Sequence, residues 1–346
     1  MTERGGNVPG RVTTIRDIAQ RAGVSPSTVS RVLSGTIPVA ASKRAAVLAA
    51  VEALQYRPNL VAQGLARGRS RAIGVLVQEI SNLFYGRVLG GIEHSLRGTG
   101  YYPVFVSTGQ PDDSAWALDL FQSYPVDALA IVGGWTPEEA LRRAAERVPI
   151  VAIGRTIAGL EERCVKVANE EGALAAVRYL IGLGHRRILH ITGLPWHRDS
   201  IDRRTGYERA LADAGIPIDP RLIVPGDFEE ESAVAGVTGL VADSVDFTAV
   251  FASNDQMARG AGLALLRAGR AIPRDVSIVG FDDDSPSAYT WPPLTTVRQP
   301  TAAMGSAAIR ALLDDLDGRG FSLAPFETEL VIRESAGPPA RRPTSR

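Results

Sequence analysis

Hydrogen-bonding side chains are concentrated at the start of the segment SPSTVSRVL, residues 25–33. A helix beginning there would expose the hydroxyl of Ser27 and, one turn later, the guanidinium of Arg31. A serine hydroxyl can bond almost any base edge, and an arginine can donate two hydrogen bonds to a guanine. A helix-turn-helix presents such side chains to the DNA major groove, although an ordinary helical hairpin has a similar pattern.

Motifs of enzyme chemistry are absent from the sequence. It has no Gly-x-Ser-x-Gly elbow and no His-Glu-x-x-His zinc helix, and neither Lys43 nor Lys166 stands in a phosphate-binding loop. The carboxylates of residues 282–284 are not accompanied by other ligands at metal spacing. No evident nucleophile accompanies any of the histidines, His94, His185, His190 and His197. We therefore expect no catalytic site, metal or cofactor.

Charge divides the chain into a basic head and an acidic body. The 346 residues carry 38 basic and 38 acidic side chains, but Met1–Arg71 holds 11 basic and 3 acidic ones, leaving 27 and 35 for the rest. Clustered positive charge attracts phosphate, so only the head is expected to contact a polyanion. With 45% hydrophobic residues, the chain can bury a large core and form more than one domain.

Cysteine content and apolar runs bear on where the protein works. The single cysteine, Cys164, excludes a disulfide framework and fits a reducing compartment. The first residues, MTERGGNVPG, lack the apolar core of a signal peptide, and no later apolar run approaches the roughly 20 residues of a membrane helix. We expect a cytoplasmic protein without membrane contact.

Three short helices are predicted in the head. Thr14 can cap the first helix, with Asp17 three residues later completing a capping box. Ser25 can cap the second helix, whose first residue would be Pro26. A third helix is expected at about residues 41–54.

In the body, from Ala72 onward, apolar strands alternate with amphipathic helices. The strand patterns are AIGVLV, YYPVFVS, DALAIVG, IVAIG, RILHITG, LIVPGD, TAVFAS and DVSIVGF. This alternation is typical of parallel sheets flanked by helices. Its length predicts two similar lobes, with a ligand bound between them at the carboxyl ends of the strands.

Eight motifs follow one another in register from Thr14 to Pro338: TIRDIAQRAGVSPSTVSRVLSG, YRPNLVAQGL, ISNLFYGRVLGGIE, GHRRILHITG, ASNDQMARG, DVSIVGFDD, PPLTTVRQP and ELVIRES. In these motifs the sequence resembles the lactose-repressor (LacI) family of bacterial transcription regulators. The resemblance implies a small all-α helix-turn-helix head. It also implies an α/β two-lobed body of the periplasmic-binding-protein type, with two parallel sheets flanked by helices.

The resemblance implies DNA contacts by nine residues: Thr14, Ser25, Pro26, Ser27, Thr28, Ser30, Arg31, Asn59 and Leu65. Pro26, Ser27 and Arg31 would meet bases, although Pro26 can make only an apolar contact and Arg31 could instead bind phosphate. Phosphates would also be bound by the side chains of residues 28, 30 and 59. Leu65 would be inserted into the minor groove as a wedge, or would simply pack between linker and lobe.

Two departures from the family pattern concern helix stability. Gly64 lies beside Leu65 and costs about 1 kcal/mol relative to alanine in a helix, so we expect a disordered free hinge. Ala40 stands where the family usually has a capping Ser or Thr before the third helix, which costs on the order of 1 kcal/mol.

The resemblance also implies seven effector-binding residues in the body: Gln78, Asn82, Phe84, Arg203, Phe228, Asn254 and Asp282. A guanidinium, an amide and a carboxylate beside an aromatic ring suit a polyhydroxylated ligand, because paired hydroxyls need a donor and an acceptor together. As alternatives, Asp282 would be a turn carboxylate and Phe228 a core residue. Gly154 stands where many members have an aspartate. Trp135 and Trp196 either line the cleft or are exposed loop residues.

We predict a division of the chain into a disordered terminus at 1–12, a helix-turn-helix domain at 13–57, a hinge at 58–71, a two-lobed effector-binding and dimerisation domain at 72–337 and a disordered tail at 338–346. The first lobe is expected at about 72–157 and 298–324. The second lobe is expected at about 158–297 and 325–337.

The predicted function is a sequence-specific transcription regulator, a repressor whose affinity for operator DNA is controlled by a small effector such as a sugar or polyol. The alternatives are a periplasmic-type solute-binding protein, against which the missing signal peptide and the basic head argue, and a sugar-processing enzyme, which would need a catalytic set.

A homodimer is predicted because a near-palindromic operator requires two heads. The tail, GPPARRPTSR, has no leucine heptads of the kind that make tetramers in this family. We expect the dimer surface to include the helix around residues 84–96, whose apolar residues exceed one core-facing stripe: Tyr85, Val88, Leu89, Ile92 and Leu96.

Overall fold

A computed structural model describes residues 13–34, 38–56, 69–109 and 113–340. The chain divides into two compact units, Met1–Ser70 and Arg71–Arg346, which correspond to the head and the body. Asn59, Gly64 and Leu65 of the predicted hinge lie outside the described residues, as do both ends of the chain, 1–12 and 341–346.

The described part of the head folds as helices α1 (Ile15–Ala22), α2 (Pro26–Ser34) and α3 (Ala41–Ala53). One small apolar cluster joins them, formed by Ile18, Ala19, Val29, Val47 and Ala50. The helix-turn-helix pattern of the sequence therefore folds around its own core.

The caps of these helices agree with the sequence. The carboxylate of Asp17 accepts from the Thr14 backbone N–H at 2.8 Å, and the Thr14 hydroxyl accepts from the Asp17 N–H, which makes a capping box. Gly23 ends α1 with a left-handed φ of 64°, which glycine adopts without strain. Ala40 provides no side-chain cap for α3.

In the body, the helices are α4 (Leu83–Leu96), α5 (Asp113–Ser123), α6 (Glu138–Ala145), α7 (Asn169–Gly182), α8 (Arg198–Asp213), α9 (Glu230–Ala242), α10 (Asp255–Arg267) and α11 (Thr301–Leu316). The strands are β1 (Ala72–Val77), β2 (Tyr102–Ser107), β3 (Ala128–Val132), β4 (Ile150–Ile153), β5 (Cys164–Val165), β6 (Ile188–Ile191), β7 (Ile223–Val224), β8 (Ala249–Ala252), β9 (Ser277–Asp282), β10 (Thr295–Arg298) and β11 (Glu329–Val331).

The strands form two sheets, one in each lobe. The first has the order β2-β1-β3-β4-β5 with parallel neighbours, and α4 and α11 share an apolar core with one face. The second has the order β11-β10-β9-β8-β6-β7, in which only the β10–β11 pair is antiparallel among the described strands. Helices α7 and α8 pack on one face of this sheet and α9 and α10 on the other. The predicted fold class is confirmed.

The first lobe extends further along the chain than the sequence predicts. Strand β5 pairs with β4, and Val167 forms a bridge with Phe326. The chain therefore leaves the first lobe after residue 167 and not at 157, and it leaves again after residue 326 and not at 324. A strand of two residues has no detectable periodicity, which is why the sequence did not reveal it.

The apolar face of α4 is directed into the protomer, contrary to the expectation of a dimer surface there. Val88, Leu89, Ile92 and Leu96 are buried in the core shared with α11, and Tyr85 packs against the same core. Exposed apolar side chains lie on both lobes, and those of the second lobe include Leu263, Leu266, Tyr289 and Trp291. Because α4 packs against both the first sheet and α11, it buries apolar residues over more of its surface than a single stripe.

Among the described residues, no helix has both the length and the apolar character that a membrane span requires.

Helices α4 and α11 approach each other closely through two glycines. A Cβ atom on Gly91 would lie 2.1 Å from the Ala302 carbonyl oxygen, and one on Gly305 would lie 2.2 Å from the Val88 carbonyl oxygen. Both contacts are with backbone atoms, which cannot rotate away. The fit of α11 into the first lobe thus depends on these two positions.

We expect Gly91→Ala to lower the free energy of unfolding of the body by about 1–3 kcal/mol, because the added methyl group separates two packed helices. Gly239→Ala is the control: it lies exposed within α9, where a Cβ meets nothing within 4 Å. Alanine there should stabilise the helix by roughly 0.5–1 kcal/mol. Urea unfolding of both variants measures the difference, and equal effects would contradict the close contact.

Candidate functional site

The carboxyl ends of strands from both sheets meet at a cleft between the two lobes of the body. Gln78 follows β1, Asn254 follows β8 and Asp282 ends β9. All seven residues predicted to bind an effector line one pocket in this cleft: Gln78, Asn82, Phe84, Arg203, Phe228, Asn254 and Asp282. The fold therefore brings together residues that are up to 204 positions apart in the sequence, from 78 to 282.

Arg203, on α8, is held rigidly with 3% of its surface exposed. Its Nε donates to Asn169 Oδ1 at 2.9 Å, and its Nη1 donates to the carbonyl of Ser253. The guanidinium lies over the ring of Phe281, 3.9 Å from the ring centroid. Nη1 is 3.7 Å from Asp282 Oδ1. The guanidinium is thus a fixed donor and cation at the base of the pocket.

Asp282 carries a carboxyl group whose protonation is balanced near neutrality. Burial raises its pKa to about 7, while Arg203 and a hydrogen bond from Gln299 Nε2, 2.7 Å long, act in the opposite direction. The carboxylate form accepts hydrogen bonds, and the protonated form can also donate one.

The chain around Asp282 is supported by a second buried carboxylate, that of Asp255. Asp282 has a φ of 111°, a conformation that side chains other than glycine rarely adopt. Asp255 accepts from the Ser287 hydroxyl at 2.7 Å, from the Asp284 N–H at 2.9 Å and from the Thr296 hydroxyl. These bonds hold the turn after β9, which fixes where Asp282 lies.

Asn254 and Phe228 are joined to each other. Asn254 caps α10 by accepting from the Met257 N–H at 2.9 Å, and its Nδ2 donates to the Phe228 carbonyl at 2.7 Å. The Phe228 ring packs over Gly193, where a Cβ atom would lie 2.1 Å from the ring. It also lies edge to face with His197, 5.3 Å between centroids. Phe228 therefore lines the pocket and packs against the adjacent core.

From the first lobe, Gln78 and Phe84 are arranged around Tyr85. Gln78 Oε1 accepts from the Tyr85 hydroxyl at 2.9 Å and from the Gly134 N–H at 3.0 Å. The rings of Phe84 and Tyr85 lie edge to face at 5.4 Å. Burial raises the pKa of Tyr85 above its usual range, so this hydroxyl stays protonated as a donor.

Hydrogen bonds join the lobes beside the cleft, and two of those in the described part of the chain involve α4 and its cap. Asn82, which caps α4, donates from Nδ2 to Gln256 Oε1 at 2.8 Å. Arg87, one turn further along α4, donates to the carbonyl of Asp283 at 2.8 Å. Both bonds join residues that flank the pocket, so a change in the separation of the lobes must alter them.

In the head, the predicted DNA-contacting residues lie on one side of α2 and at its start. Pro26, Ser27, Ser30 and Arg31 are exposed, whereas Val29 is buried in the head core. Thr14 is exposed at the start of α1. The Ser25 hydroxyl lies 2.8 Å from that of Ser27 and 2.9 Å from that of Thr28, and accepts from the Thr28 N–H at 3.2 Å.

Comparison with known proteins links both parts of the chain to one family. Residues 14–59 match the model for bacterial regulatory proteins of the lacI family, and residues 177–336 match that for a periplasmic binding protein-like domain. The transcriptional regulator GalR of Escherichia coli K12 is 33% identical over 334 residues, covering 95% of this chain and 97% of its own. GalR of Salmonella typhimurium LT2 is 35% identical over 305 residues, covering 87% and 89%. The chain belongs to the LacI family.

Solved structures of LacI-family proteins have the same fold. The lac repressor dimer bound to operator and the anti-inducer ONPF is 27% identical, with a TM-score of 0.84 over 94% of this chain and 100% of its own. A complex of the regulator CelR with cellobiose is 31% identical, with a TM-score of 0.71 over 93% and 99%.

Membership of the LacI family confirms the predicted function, a DNA-binding transcriptional regulator that responds to a small molecule. The alternative of a solute-binding protein is not favoured, because the helix-turn-helix match at 14–59 belongs to regulators. The relatives GalR, PurR and lac repressor are transcriptional regulators.

Six further residues line the pocket of this LacI-family protein, and the sequence analysis does not predict them as binding residues: Tyr85, Leu194, His197, Asp199, Asp227 and Glu229. A local signal was available for some of them. Asp199 stands four residues before Arg203 on the same helix, 3.8 Å from it, and residues 227 and 229 flank Phe228. Gly154, which replaces the aspartate of many members, also lines the pocket with a left-handed φ of 67°.

Acidic side chains give the pocket a negative balance. Burial and the neighbouring carboxylates of Glu79 and Glu230 raise the pKa of Glu229 to about 6. Burial lowers the pKa of His197, so its ring is neutral at physiological pH. The space enclosed is about 60 Å³, room for only a few water molecules. Anything as large as a sugar ring therefore requires movement of the lobes or of the lining side chains.

The acidic run after β9 is engaged in ion pairs. Asp283 lies 2.7 Å from Arg298 and 2.6 Å from Arg333, and Asp284 lies 2.6 Å from Arg259. No group of three metal-binding side chains is found in the part of the chain that the structure describes.

We expect stability to depend on pH through Asp282. Its pKa rises from 3.8 to about 7 on folding, so the folded protein binds the extra proton in this window and loses stability as the pH rises through it. Asparagine does not titrate, so the melting temperature of Asp282→Asn relative to wild type should rise between about pH 4 and about pH 7 and stay level above that.

Asp275→Asn is the control for this titration, because Arg274 holds the pKa of the half-buried Asp275 carboxyl below its usual value. This variant should lose stability without any gain toward higher pH. Melting curves at several pH values test both, and parallel pH profiles of wild type and Asp282→Asn would exclude a raised pKa at Asp282.

Proposed function

We propose that the cleft binds a sugar or related polyol and that its occupation controls how the head binds operator DNA. This proposal rests on the convergence of seven predicted residues on one pocket: Gln78, Asn82, Phe84, Arg203, Phe228, Asn254 and Asp282. In this proposal the cleft binds its ligand and catalyses no reaction.

The polar groups of the pocket suit neighbouring hydroxyls. Arg203 is a fixed donor, Asn254 has a second N–H beyond the one given to Phe228, and Asp282 accepts. Gln299 and Arg203 both approach Oδ1 of Asp282, so its Oδ2 can accept from a ligand hydroxyl. The ring of Phe228 can cover the apolar face of a pyranose. CelR, a structural relative, forms a complex with cellobiose, which supports this class of ligand.

Residues 13–57 act in this proposal as the DNA-binding domain, 58–71 as the hinge and 72–337 as the effector-binding and dimerisation domain. Ser27 and Arg31 read base edges and Pro26 makes an apolar contact. Thr28, Ser30 and Asn59 bind phosphates, with the caps Thr14 and Ser25 beside them, and Leu65 enters the minor groove. Because operator DNA is cytoplasmic in bacteria, we place the protein there.

Effector and operator influence each other through the separation of the lobes. A sugar enters a pocket of about 60 Å³ only if the lobes or side chains shift, which changes the Asn82–Gln256 and Arg87–Asp283 bonds. The coupling is reciprocal: whatever the sugar does to operator affinity, the operator does to sugar affinity.

Two variants should separate the two binding activities. The operator is first selected from a randomised DNA pool with the wild-type protein. Operator affinity is then measured without sugar and with each of D-glucose, D-galactose, cellobiose, maltose and lactose. We expect one sugar to change operator affinity by about 5-fold or more. Asp282→Asn should bind operator within about twofold of wild type without this response, because it lacks the anionic acceptor.

Arg31→Ala is the reciprocal variant: it should lose about 1–3 kcal/mol of operator affinity yet still be stabilised by the sugar. Gel shifts and thermal shifts measure both activities. A normal sugar response in Asp282→Asn would make this residue a structural turn carboxylate and overturn the site.

The protein acts in this proposal as a homodimer. A near-palindromic operator needs two heads, and the lac repressor relative is a dimer on its operator. The apolar patch of Leu263, Leu266, Tyr289 and Trp291 on the second lobe is the surface that we assign to the second copy. This patch replaces α4, which the sequence predicts as part of the dimer surface.

Light scattering should give twice the chain mass of 36.8 kDa for the wild type and a single chain mass for Leu266→Glu and Trp291→Glu. These residues are 70% and 95% exposed, so a charge there disturbs association and not folding. Trp116→Glu, at a 58% exposed position on the first lobe, should stay dimeric. Dimers in all three variants would place the interface elsewhere.

A further inference from the structure

A second pocket adjoins the effector pocket and shares His197 with it. Its volume is about 270 Å³, against about 60 Å³ for the first. Glu138, Arg155 and Thr156 line it from the first lobe, and Trp196 and Arg198 line it from the second. The two pockets therefore lie against the same His197 side chain, and both are lined by residues of the two lobes.

A row of four aromatic rings runs along both pockets. Trp135 and Trp196 lie 5.0 Å apart, Trp196 and His197 5.7 Å apart, and His197 and Phe228 5.3 Å apart, measured between ring centroids. Phe228 lines the first pocket and Trp196 the second. Trp196 keeps 55% of its surface exposed although it packs against a ring of the other lobe. Trp196 therefore lines the second pocket while more than half of its surface stays accessible.

Polar groups beside this row have unused hydrogen-bonding capacity. Within the described parts of the chain, Arg155 Nε and His197 Nδ1 are buried without a hydrogen-bond partner. Arg155 donates from Nη1 to the Gly134 carbonyl at 2.8 Å, which fixes the guanidinium at the wall of the second pocket. Arg155 and Arg198 are balanced by Glu138 and Glu161 among the lining residues. The pocket thus suits a neutral ligand with both donors and acceptors.

We infer that the effector is a disaccharide or longer saccharide, whose first ring binds beside Asp282 and whose second ring stacks on Trp196 in the adjoining pocket. This inference rests on the proposed function of the first pocket. A pyranose ring has an apolar face for the indole and hydroxyls for Arg155 and His197. Since the second pocket is lined by both lobes, the second ring adds contacts that one sugar ring would not make.

Calorimetric titration of the full-length protein with single and double sugars tests the inference. D-glucose and D-galactose are the single-ring probes, and cellobiose, maltose and lactose are the two-ring probes. We expect at least one disaccharide to bind about tenfold or more tightly than either single sugar. Trp196→Ala should reduce that advantage by about tenfold while leaving single-sugar affinity within about twofold.

Trp116→Ala removes an exposed tryptophan that lines neither pocket and is the matched control, which should leave both affinities unchanged. Trp196→Phe keeps an aromatic face and should retain most of the disaccharide preference. Circular dichroism and melting curves establish that each variant is folded. Tryptophan fluorescence is a second readout, because the disaccharide should change the emission of wild type but not that of Trp196→Ala.

The outcomes separate the two proposals. If single sugars bind in an Asp282-dependent way and disaccharides bind no more tightly, the proposed function stands and the inference is wrong. An equal loss of single and double sugar binding in Trp196→Ala also overturns it, because Trp196 would then only hold the lobes together. If none of the five sugars binds, the proposed function fails and the inference fails with it.

Discussion

The buried carboxylate of Asp255 is the constraint on which the architecture of the cleft depends. It is fully buried, and burial together with the charges of Asp282 and Asp284 raises its pKa well above the ordinary value. Three hydrogen bonds, from Thr296, Ser287 and the Asp284 N–H, make this position tolerable. They tie the end of β9, the turn that follows it and β10 to the start of α10. Gly280 belongs to the same arrangement, because a Cβ there would lie 2.2 Å from Asp255 Oδ1.

That arrangement explains why the polar groups of the cleft point in fixed directions. Asp282 holds an unfavourable backbone conformation only because the turn behind it is anchored. Arg203 is fixed by Asn169 and Ser253, not by the pocket itself. A binding site whose donors and acceptors are held by a second set of bonds loses little side-chain freedom on ligand binding. The second lobe thus holds these donors and acceptors in place before the ligand arrives, whatever movement brings the first lobe to them.

Much of the fold could be predicted from the sequence because its signals are local. The capping box at Thr14, the apolar strand patterns and the strand-end polar residues each need only a few neighbouring positions. The structure differs from the sequence prediction where contacts between distant segments determine the local structure. Strand β5 exists only through its pairing with β4, and the apolar side of α4 is covered by α11, which lies some 200 residues later. The contact of Trp135 with Trp196 joins two lobes and has no local signature.

The crossings between the lobes have a further consequence for motion. The chain passes between the sheets after residues 167, 298 and 326, and the first and last of these segments are bonded to each other: Phe326 N–H donates to the Lys166 carbonyl at 2.8 Å and Ala168 N–H to the Phe326 carbonyl at 2.9 Å. Hydrogen bonds between the crossings after residues 167 and 326 oppose sliding of one segment along the other. A change in the separation of the lobes must therefore bend the first and last crossings together, since neither can move without the other unless their hydrogen bonds break.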